Sequence, residues 1–364
     1  MKPFNQIKKL LVVAVGGGND SISCLWLLKQ LQRSGLKPAH VDILGMLPGW
    51  VQYTGVEATQ LPHLGIITPQ VSRSIKGIPV SRIPEAGLAE HQRRFSISNL
   101  YGAFINQGSI GLQESISALF NQQHYDHILA VDVGGDFIAN RENKWVLSPM
   151  MDAYAAYAFQ NLQALGYPVS GAVFGLGFDG ESTPELVRKT LVQVQPSYEF
   201  EFDAEPLAEI SEFYTTVVRP GRRSQTGDIM VDMLNQRIAP QYKVKRPFHV
   251  QTMKGLVKFF GDNDFTVDVK LANKGYLFDD FNRIDNRFIQ ACHGELEWVR
   301  KVQDSVWRYN HELCGQEMTK VYIGTPSWMF AGQMDEILST IKQSVADGIY
   351  ASVWTHPMDS EKFK

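Results

Sequence analysis

The run Leu11-Val12-Val13-Ala14-Val15 followed by Gly16-Gly17-Gly18-Asn19-Asp20-Ser21 constrains the fold more than any other part of the chain. An apolar, β-branched run without polar alternation reads as a strand buried on both faces, which calls for helical layers on either side of a mostly parallel sheet. Three successive glycines then clear side chains from the turn, so that backbone N–H groups can approach a ligand closely. The next segment, SISCLWLLKQLQRSG, has helical character and is stopped by Gly35, so the loop opens onto a helix start whose unpaired N–H groups and dipole favour an anion. The stretch therefore predicts a pocket for a phosphate-bearing or otherwise anionic ligand. Ser21 or Ser23 could cap the helix or donate to a phosphate oxygen. The plainer alternative is a tight turn with Asp20 as N-cap, but three glycines exceed what a turn requires.

The same alternation recurs downstream. HVDILGML (40–47), HILAVDV (127–133) and SGAVFGLG (170–177) read as strands, while a segment around Ser109–Phe120, MDAYAAYAFQNLQALG, and the stretch from Pro184 read as helices. This predicts an α/β fold: a mostly parallel, doubly wound, Rossmann-like sheet with helices on both faces, plus a C-terminal α+β extension. The expected division is a core over 1–200 and an extension or subdomain over 201–364. Residues 60–110, with short runs GIIT and GIPV among Pro and Gly, take no clear assignment. Beyond residue 200, FEFDAEPLAEISEFYTTVV reads as helix, KRPFHVQ and FTVDVKL as short strands, and Phe288–Tyr309 as a long helix. KVYIGTPS and YASVWTHP read as late strands around a helix over Met334–Val345. Whether they extend the first sheet or build a second is left open by the pattern.

In open α/β sheets ligands bind at the carboxyl ends of the strands, so the chemistry is sought in the loops that follow them. The second such loop is Asp132-Val133-Gly134-Gly135-Asp136, followed by Ser148-Pro149-Met150-Met151-Asp152. Asp132 ends an apolar strand, where a carboxylate needs a cation or donors to meet it. Ser148 fits an N-cap with Pro149 at the first helical position, and capping explains Ser148 and Asp152 as well as a ligand role does. The third loop supplies Gly175, Gly177, Asp179, Gly180 and Glu181 before Ser182, Thr183 and Pro184; a cap accounts for one of its polar residues but not for both acids.

The candidate catalytic residues are accordingly Asp20, Asp132, Asp136 and Asp179, with Asp20, Asp132 and Asp136 as metal ligands. Gly16, Gly17, Gly18, Asn19, Ser21, Gly134, Gly135, Ser148, Asp152, Gly177, Gly180, Glu181 and Arg222 are candidate ligand-binding residues. Carboxylates beside phosphates repel unless a hard divalent cation lies between them, and an oxygen-only ligand set suits Mg²⁺ rather than zinc. The expected cofactors are Mg²⁺ and a nucleotide such as ATP. Arg222 belongs to the dense basic loop Arg219–Thr226, which either closes over an anion or is a solvated turn. Asp279-Asp280 after GYLF resembles one more acidic strand exit, with a surface turn as the simpler reading. His63, His91 and His356 lack partner motifs.

Composition narrows the partners. With 35 Lys+Arg against 38 Asp+Glu the net charge is -3, which supplies no field for a polyanion, so a small-molecule substrate is expected and nucleic acid is not. The apolar run near the start is about seven residues and ends in glycines, too short for a membrane span and unlike a signal peptide, so a cytoplasmic protein without a membrane partner is expected. Homo-oligomerisation stays open. Cys24, Cys292 and Cys314 form neither a disulfide framework nor a zinc pattern and read as buried apolar residues. G-x-S-x-G, H-E-x-x-H and a P-loop lysine are missing.

GGGND at the first strand, DVGGD followed by SPMMDA, and GLGFDGES at a third strand together resemble the prokaryotic family known as domain of unknown function 1152. The motifs span roughly residues 9–190, and the resemblance implies an α/β fold with a shared polar site. A narrower likeness joins Gly17-Gly18-Asn19-Asp20-Ser21 to the G-G-x-D-S core of the ATP pyrophosphatase loop, which serves enzymes that activate a carboxylate or carbonyl as its adenylate. That likeness implies that Gly17, Gly18, Asp20 and Ser21 cradle pyrophosphate with Mg²⁺; Gly16 stands where the motif usually has serine. The leading expectation is a Mg²⁺-dependent transferase, ligase or hydrolase acting on a nucleotide or phosphate compound. The alternatives are a metal-independent hydrolase or lyase of a small polar metabolite and a non-catalytic nucleotide-binding sensor.

Overall fold

Alternate residues of the first long strand, β1 (Lys9–Ala14), enter two different apolar clusters, as a strand covered on both faces requires. Leu11 and Val13 join one cluster, Leu10, Val12 and Ala14 the other, and none of the five is more than 1% exposed. The computed structural model describes residues 4–16, 20–47, 52–75, 77–105, 108–140, 150–220, 225–235, 237, 241–252 and 255–284.

After β1 come α1 (Asp20–Arg33) and β2 (His40–Leu47). Short strands β3 (Gln52–Thr54), β4 (Glu57–Ala58), β5 (Leu64–Ile66), β6 (Ser72–Ile75) and β7 (Ile78–Arg82) precede α2 (Pro84–His91) and β8 (Asn99–Phe104). The chain continues through α3 (Gly108–Gln123), β9 (His127–Val133), α4 (Met150–Ala164), β10 (Val169–Phe174), α5 (Pro184–Val194) and β11 (Tyr198–Glu201). Beyond these lie α6 (Ala204–Phe213), α7 (Gln225–Leu234), β12 (Gln241–Thr252), β13 (Gly255–Asp268), α8 (Val269–Ala272) and β14 (Lys274–Phe278).

Among the described residues a nine-stranded sheet runs in the order β11-β14-β10-β9-β1-β2-β8-β5-β4. Its middle, from β10 to β8, is parallel, and the flanking β14, β11, β5 and β4 pair antiparallel. The protein is thus a mixed α/β molecule built on a large, mostly parallel central sheet. One apolar cluster packs Leu112, Ile116 and Leu119 of α3 with Tyr154, Phe159 and Leu162 of α4. The other gathers Trp26 of α1, Leu88 of α2, Ile210 of α6 and Met230 of α7. Each fully buried side chain of this size is worth about 1.5–3 kcal/mol against exposure, so the two clusters fix the sheet between its helices.

The strand order sets where a ligand fits. From β1 the chain moves outward through β2 to β8, then returns to the other side of β1 with β9 and β10. The order reverses between β1 and β9, and a crevice opens at the carboxyl ends of strands where it does so.

Several elements differ from the sequence reading. Residues 200–218 do not form one helix: Tyr198–Glu201 is an edge strand, α6 starts at Ala204, and Tyr214–Val218 is a π turn. The exposed face of β11 hid its strand character, while the apolar spacing beyond it reads as helical throughout. KRPFHVQ and FTVDVKL belong to β12 and β13, which pair as one long antiparallel hairpin, and VKLA after Asp268 is helical because the Asp268 carboxylate accepts from the Lys270 and Leu271 N–H groups. β8, unassigned in the sequence, is a core strand beside β2. β14 comes from beyond residue 200 yet joins the central sheet; the Phe278 ring lies over Gly171, its partner on β10, where a Cβ would collide with it. The segments Phe288–Tyr309, KVYIGTPS, Met334–Val345 and YASVWTHP lie outside the described residues.

Candidate functional site

Three loops meet at the carboxyl ends of β1, β9 and β10. Each follows a strand buried along almost its whole length, so the backbone leaves the sheet at a fixed height and direction. At the end of β1, Gly16 has φ +82°, and a Cβ there would stand 2.6 Å from Asp20 Oδ2 and 3.1 Å from Asp152 Oδ1. Two carboxylates therefore occupy the room that any other residue at 16 would need. Asp20 itself begins α1.

At the end of β9 the Asp132 carboxylate is 1% exposed, and its Oδ2 accepts the Gly135 N–H at 3.1 Å. Gly134 has φ +128°, and a Cβ on it would lie 2.5 Å from Asp179 Oδ2, so the third loop lays a carboxylate directly on the second. Asp136 opens a short 3-10 turn over Asp136–Ile138. Asp152 projects from the first turn of α4 and is 3% exposed. One carboxylate oxygen from each of Asp132, Asp136 and Asp152 lies within 4.8 Å of the others.

The β10 exit is tied to the β9 exit by the backbone, with the Gly177 N–H donating to Gly134 O at 2.7 Å. Asp179 Oδ1 accepts the Glu181 N–H at 2.8 Å. Gln225, the first residue of α7, donates its amide to Phe178 O at 3.2 Å and Asp179 O at 3.3 Å, holding this loop from outside the sheet.

The electrostatics follow from packing acids together out of water. Burial, then the Asp179 charge, pushes the Asp132 carboxyl up to about 7, against the opposing pull of backbone N–H groups at Gly135, Phe137 and Val133. Burial and the charges of Asp132 and Glu181 hold Asp136 above the usual carboxylate range. Burial and the charges of Asp136, Asp132 and Asp20 do the same to Asp152. Asp136 and Asp152 also lie within hydrogen-bonding reach of each other, an arrangement that favours a proton on one of them over two ionised carboxylates. Asp152 Oδ1 is buried and has no hydrogen-bond partner among the described residues.

The donor set fits a hard cation. Oxygens on opposite sides of Mg²⁺ are about 4.2 Å apart and those around Ca²⁺ up to about 5 Å, from metal–oxygen distances of roughly 2.1 and 2.5 Å. A triad spanning 4.8 Å closes on either ion with side-chain shifts of a few tenths of an ångström. No nitrogen or sulfur ligand belongs to the triad, which disfavours zinc.

The site thus brings together Gly16, Asp20, Asp132, Gly134, Gly135, Asp136, Asp152, Asp179 and, through its charge on Asp136, Glu181. Gly177 and Gly180, at φ +84° and +77°, shape the third loop. Ser21 is fully buried on the β2 side of α1, where its Oγ stands 2.9 Å from the position of a Cβ on Gly45. Gly17, Gly18, Asn19, Ser148 and Arg222 fall outside the described residues. Arg219, at the start of the basic loop, pairs with Asp228 at 3.2 Å. Gln225 was not among the sequence candidates, since an amide at the end of a basic loop carries no signal for a partner 46 residues earlier.

Asp279 is the acidic exit that does not join. β14 runs antiparallel to β10, so its end lies beside the start of β10, at the amino ends of the parallel strands. There Asp279 accepts the hydroxyls of Ser170 at 2.8 Å and Ser197 at 2.9 Å, Ser170 also meeting His127 Nε2 at 2.9 Å. Asp280 caps the turn that follows. His63 faces Glu114, and His91 meets its own helix at Gly87 O. Cys24 is a free, buried thiol. No helix among the described residues is long and apolar enough to cross a membrane.

The profile of the family described as Protein of unknown function (DUF1152) matches residues 11–216, more than half of the chain, and the chain belongs to that family. The matched span contains the acidic triad and all three loops. No curated protein and no solved structure matches the chain.

Proposed function

We propose that this member of the family is a Mg²⁺-dependent enzyme that binds a phosphate-bearing small molecule or nucleotide at the carboxyl ends of a doubly wound, Rossmann-like sheet. The reaction would be phosphoryl or adenylyl transfer, or hydrolysis. One observation carries the reading: three carboxylate oxygens from the β9 exit and the first turn of α4, those of Asp132, Asp136 and Asp152, converge within 4.8 Å at the strand-order reversal. Burying like charges this closely opposes folding, and a divalent cation removes that cost while binding phosphate oxygens on its open side. Asp132, Asp136 and Asp152 hold the cation. A water or substrate hydroxyl would attack phosphorus, the leaving oxygen departing with its bonding pair, and Asp179 would accept the attacking group's proton. The start of α1 at Asp20 is a helix N-terminus that would favour a phosphate; with the GGNDS sequence before and into it, cleavage of ATP to pyrophosphate is one form of the reaction.

A thermal-shift series tests this. Mg²⁺ alone should raise the melting temperature, and one nucleotide or sugar phosphate should raise it further only with Mg²⁺, since a ligand that binds the folded state alone stabilises it. Asp136→Asn should abolish both shifts. No shift with Mg²⁺, Mn²⁺ or Ca²⁺ would remove the reading.

The carboxyl of Asp132 near 7 also favours a second reading, a metal-independent hydrolase or lyase in which that group is the general base. Stabilisation by carboxylates or sugars in chelator, with none by Mg²⁺, would select it.

A further inference from the structure

One carboxylate oxygen of Asp152 still needs a partner. Asp152 hydrogen-bonds Asp136, while its Oδ1, on a side chain 3% exposed, has no hydrogen-bond partner among the described residues. That oxygen lies 3.1 Å from where a Cβ on Gly16 would stand. Asp20 Oδ2 approaches the same point from α1 at 2.6 Å, so the two oxygens are no more than 5.7 Å apart, the sum of these distances. Glycine at 16 leaves the space between them free of its own side chain, and its φ of +82° excludes most others on backbone grounds as well.

We propose that this space holds a second divalent cation, bound by Asp20 and Asp152, with Asp152 bridging it to the cation of the triad. The proposal deepens the reading above and rests on the first cation being there. A carboxylate offering one oxygen to each of two ions sets them about 3.5–4 Å apart, the spacing at which a pair of metals clamps both the attacking and the leaving oxygen of a phosphate. The ligand class that follows is a phosphate ester or anhydride with one oxygen shared between two Mg²⁺ or Mn²⁺ ions. It also explains why an acid sits at the first residue of α1 beside three others, where a neutral residue would add no repulsion.

Mn²⁺ serves as the probe, with the full chain, titrated by calorimetry and read by electron paramagnetic resonance. The wild type should bind two Mn²⁺ per chain and show the exchange-coupled spectrum of a close pair. Asp20→Asn, which keeps the size of the side chain, should bind one, with a spectrum of isolated ions; Asp136→Asn should lose the triad ion. One isolated Mn²⁺ in the wild type, unchanged by Asp20→Asn, would overturn the second site and leave the first. Two coupled ions in Asp20→Asn would overturn the assignment to Asp20. No Mn²⁺ bound at all would overturn the cation reading itself, and circular dichroism of each variant separates lost binding from lost folding.

Discussion

Asp132→Asn should flatten the pH dependence of folding stability in chelator. The native carboxyl titrates near 7 against an ordinary 3.8, so between these values the folded chain keeps a proton that the unfolded chain releases. The contribution is fully present below pH 3.8 and is lost as pH rises through 7, the opposite of a salt-bridged aspartate. The gap of about three pH units at 1.36 kcal/mol each is roughly 4 kcal/mol in all, of which about 3 kcal/mol falls between pH 5 and 8. Asp136 and Asp152 are raised for the same reason and act with the same sign. Urea unfolding in EDTA at pH 5, 6, 7 and 8 measures this directly. Wild-type stability should fall by about 3 kcal/mol or more across the series, and Asp132→Asn should lose much of that slope while being the more stable of the two at pH 8. With saturating Mg²⁺ the wild-type slope should reverse, because the cation binds the ionised acids. Wild-type stability that rises from pH 5 to 8 in EDTA, or an equal slope in Asp132→Asn, would refute the reasoning.

Two further variants separate the site from the scaffold. Asp42 is fully buried near the start of β2, where it accepts the Asn99 N–H at 2.8 Å, the Asn99 amide at 3.0 Å and the Tyr125 hydroxyl, and meets His40 Nε2 at 3.0 Å. Asp42→Ala strands these donors and should cost about 3 kcal/mol or more in urea unfolding, yet leave Mn²⁺ affinity of the folded protein unchanged, since the site is at the other end of that strand. Gln225→Ala releases the carbonyls of Phe178 and Asp179; it should cost about 1 kcal/mol of stability and weaken Mn²⁺ binding several-fold in calorimetry, whereas an unchanged affinity would show that α7 does not position the Asp179 loop.

How much of this was legible in the sequence depended on what each residue's neighbours could reveal locally. β1, β9 and β10 announce themselves because strands buried on both faces are mostly apolar, and each leads into glycine followed by acid. The convergence of Asp20, Asp132, Asp136 and Asp179 could be anticipated from strand ends alone, given a parallel sheet. Asp152 was ambiguous, since an acid in the first turn of α4 has a capping explanation that only its distance to Asp136 supersedes. Asp279, for which a surface turn is the simpler reading, could not be decided from its strand: a strand's sequence does not record its direction, and β14 points its acidic end the other way. β8 was missed because Asn99-Leu100-Tyr101-Gly102-Ala103-Phe104 has neither clean alternation nor a purely apolar run. Its Gly102 is there because Leu47 and Ile67 fill the room of a side chain, a packing fact with no local signature.

The placement of β14 bears on how this chain is made. Residues 274–278 must insert between β10 and β11, and the pairing of Gly171 with Phe278 closes only when a hundred more residues have followed β10. During synthesis, at about 5–20 residues per second, β10 waits for several seconds with an unpaired edge and a bare glycine where an aromatic ring will sit. A fragment ending at residue 216, where the family match stops, keeps every acid of the triad yet leaves that edge permanently open, a template for association with other chains.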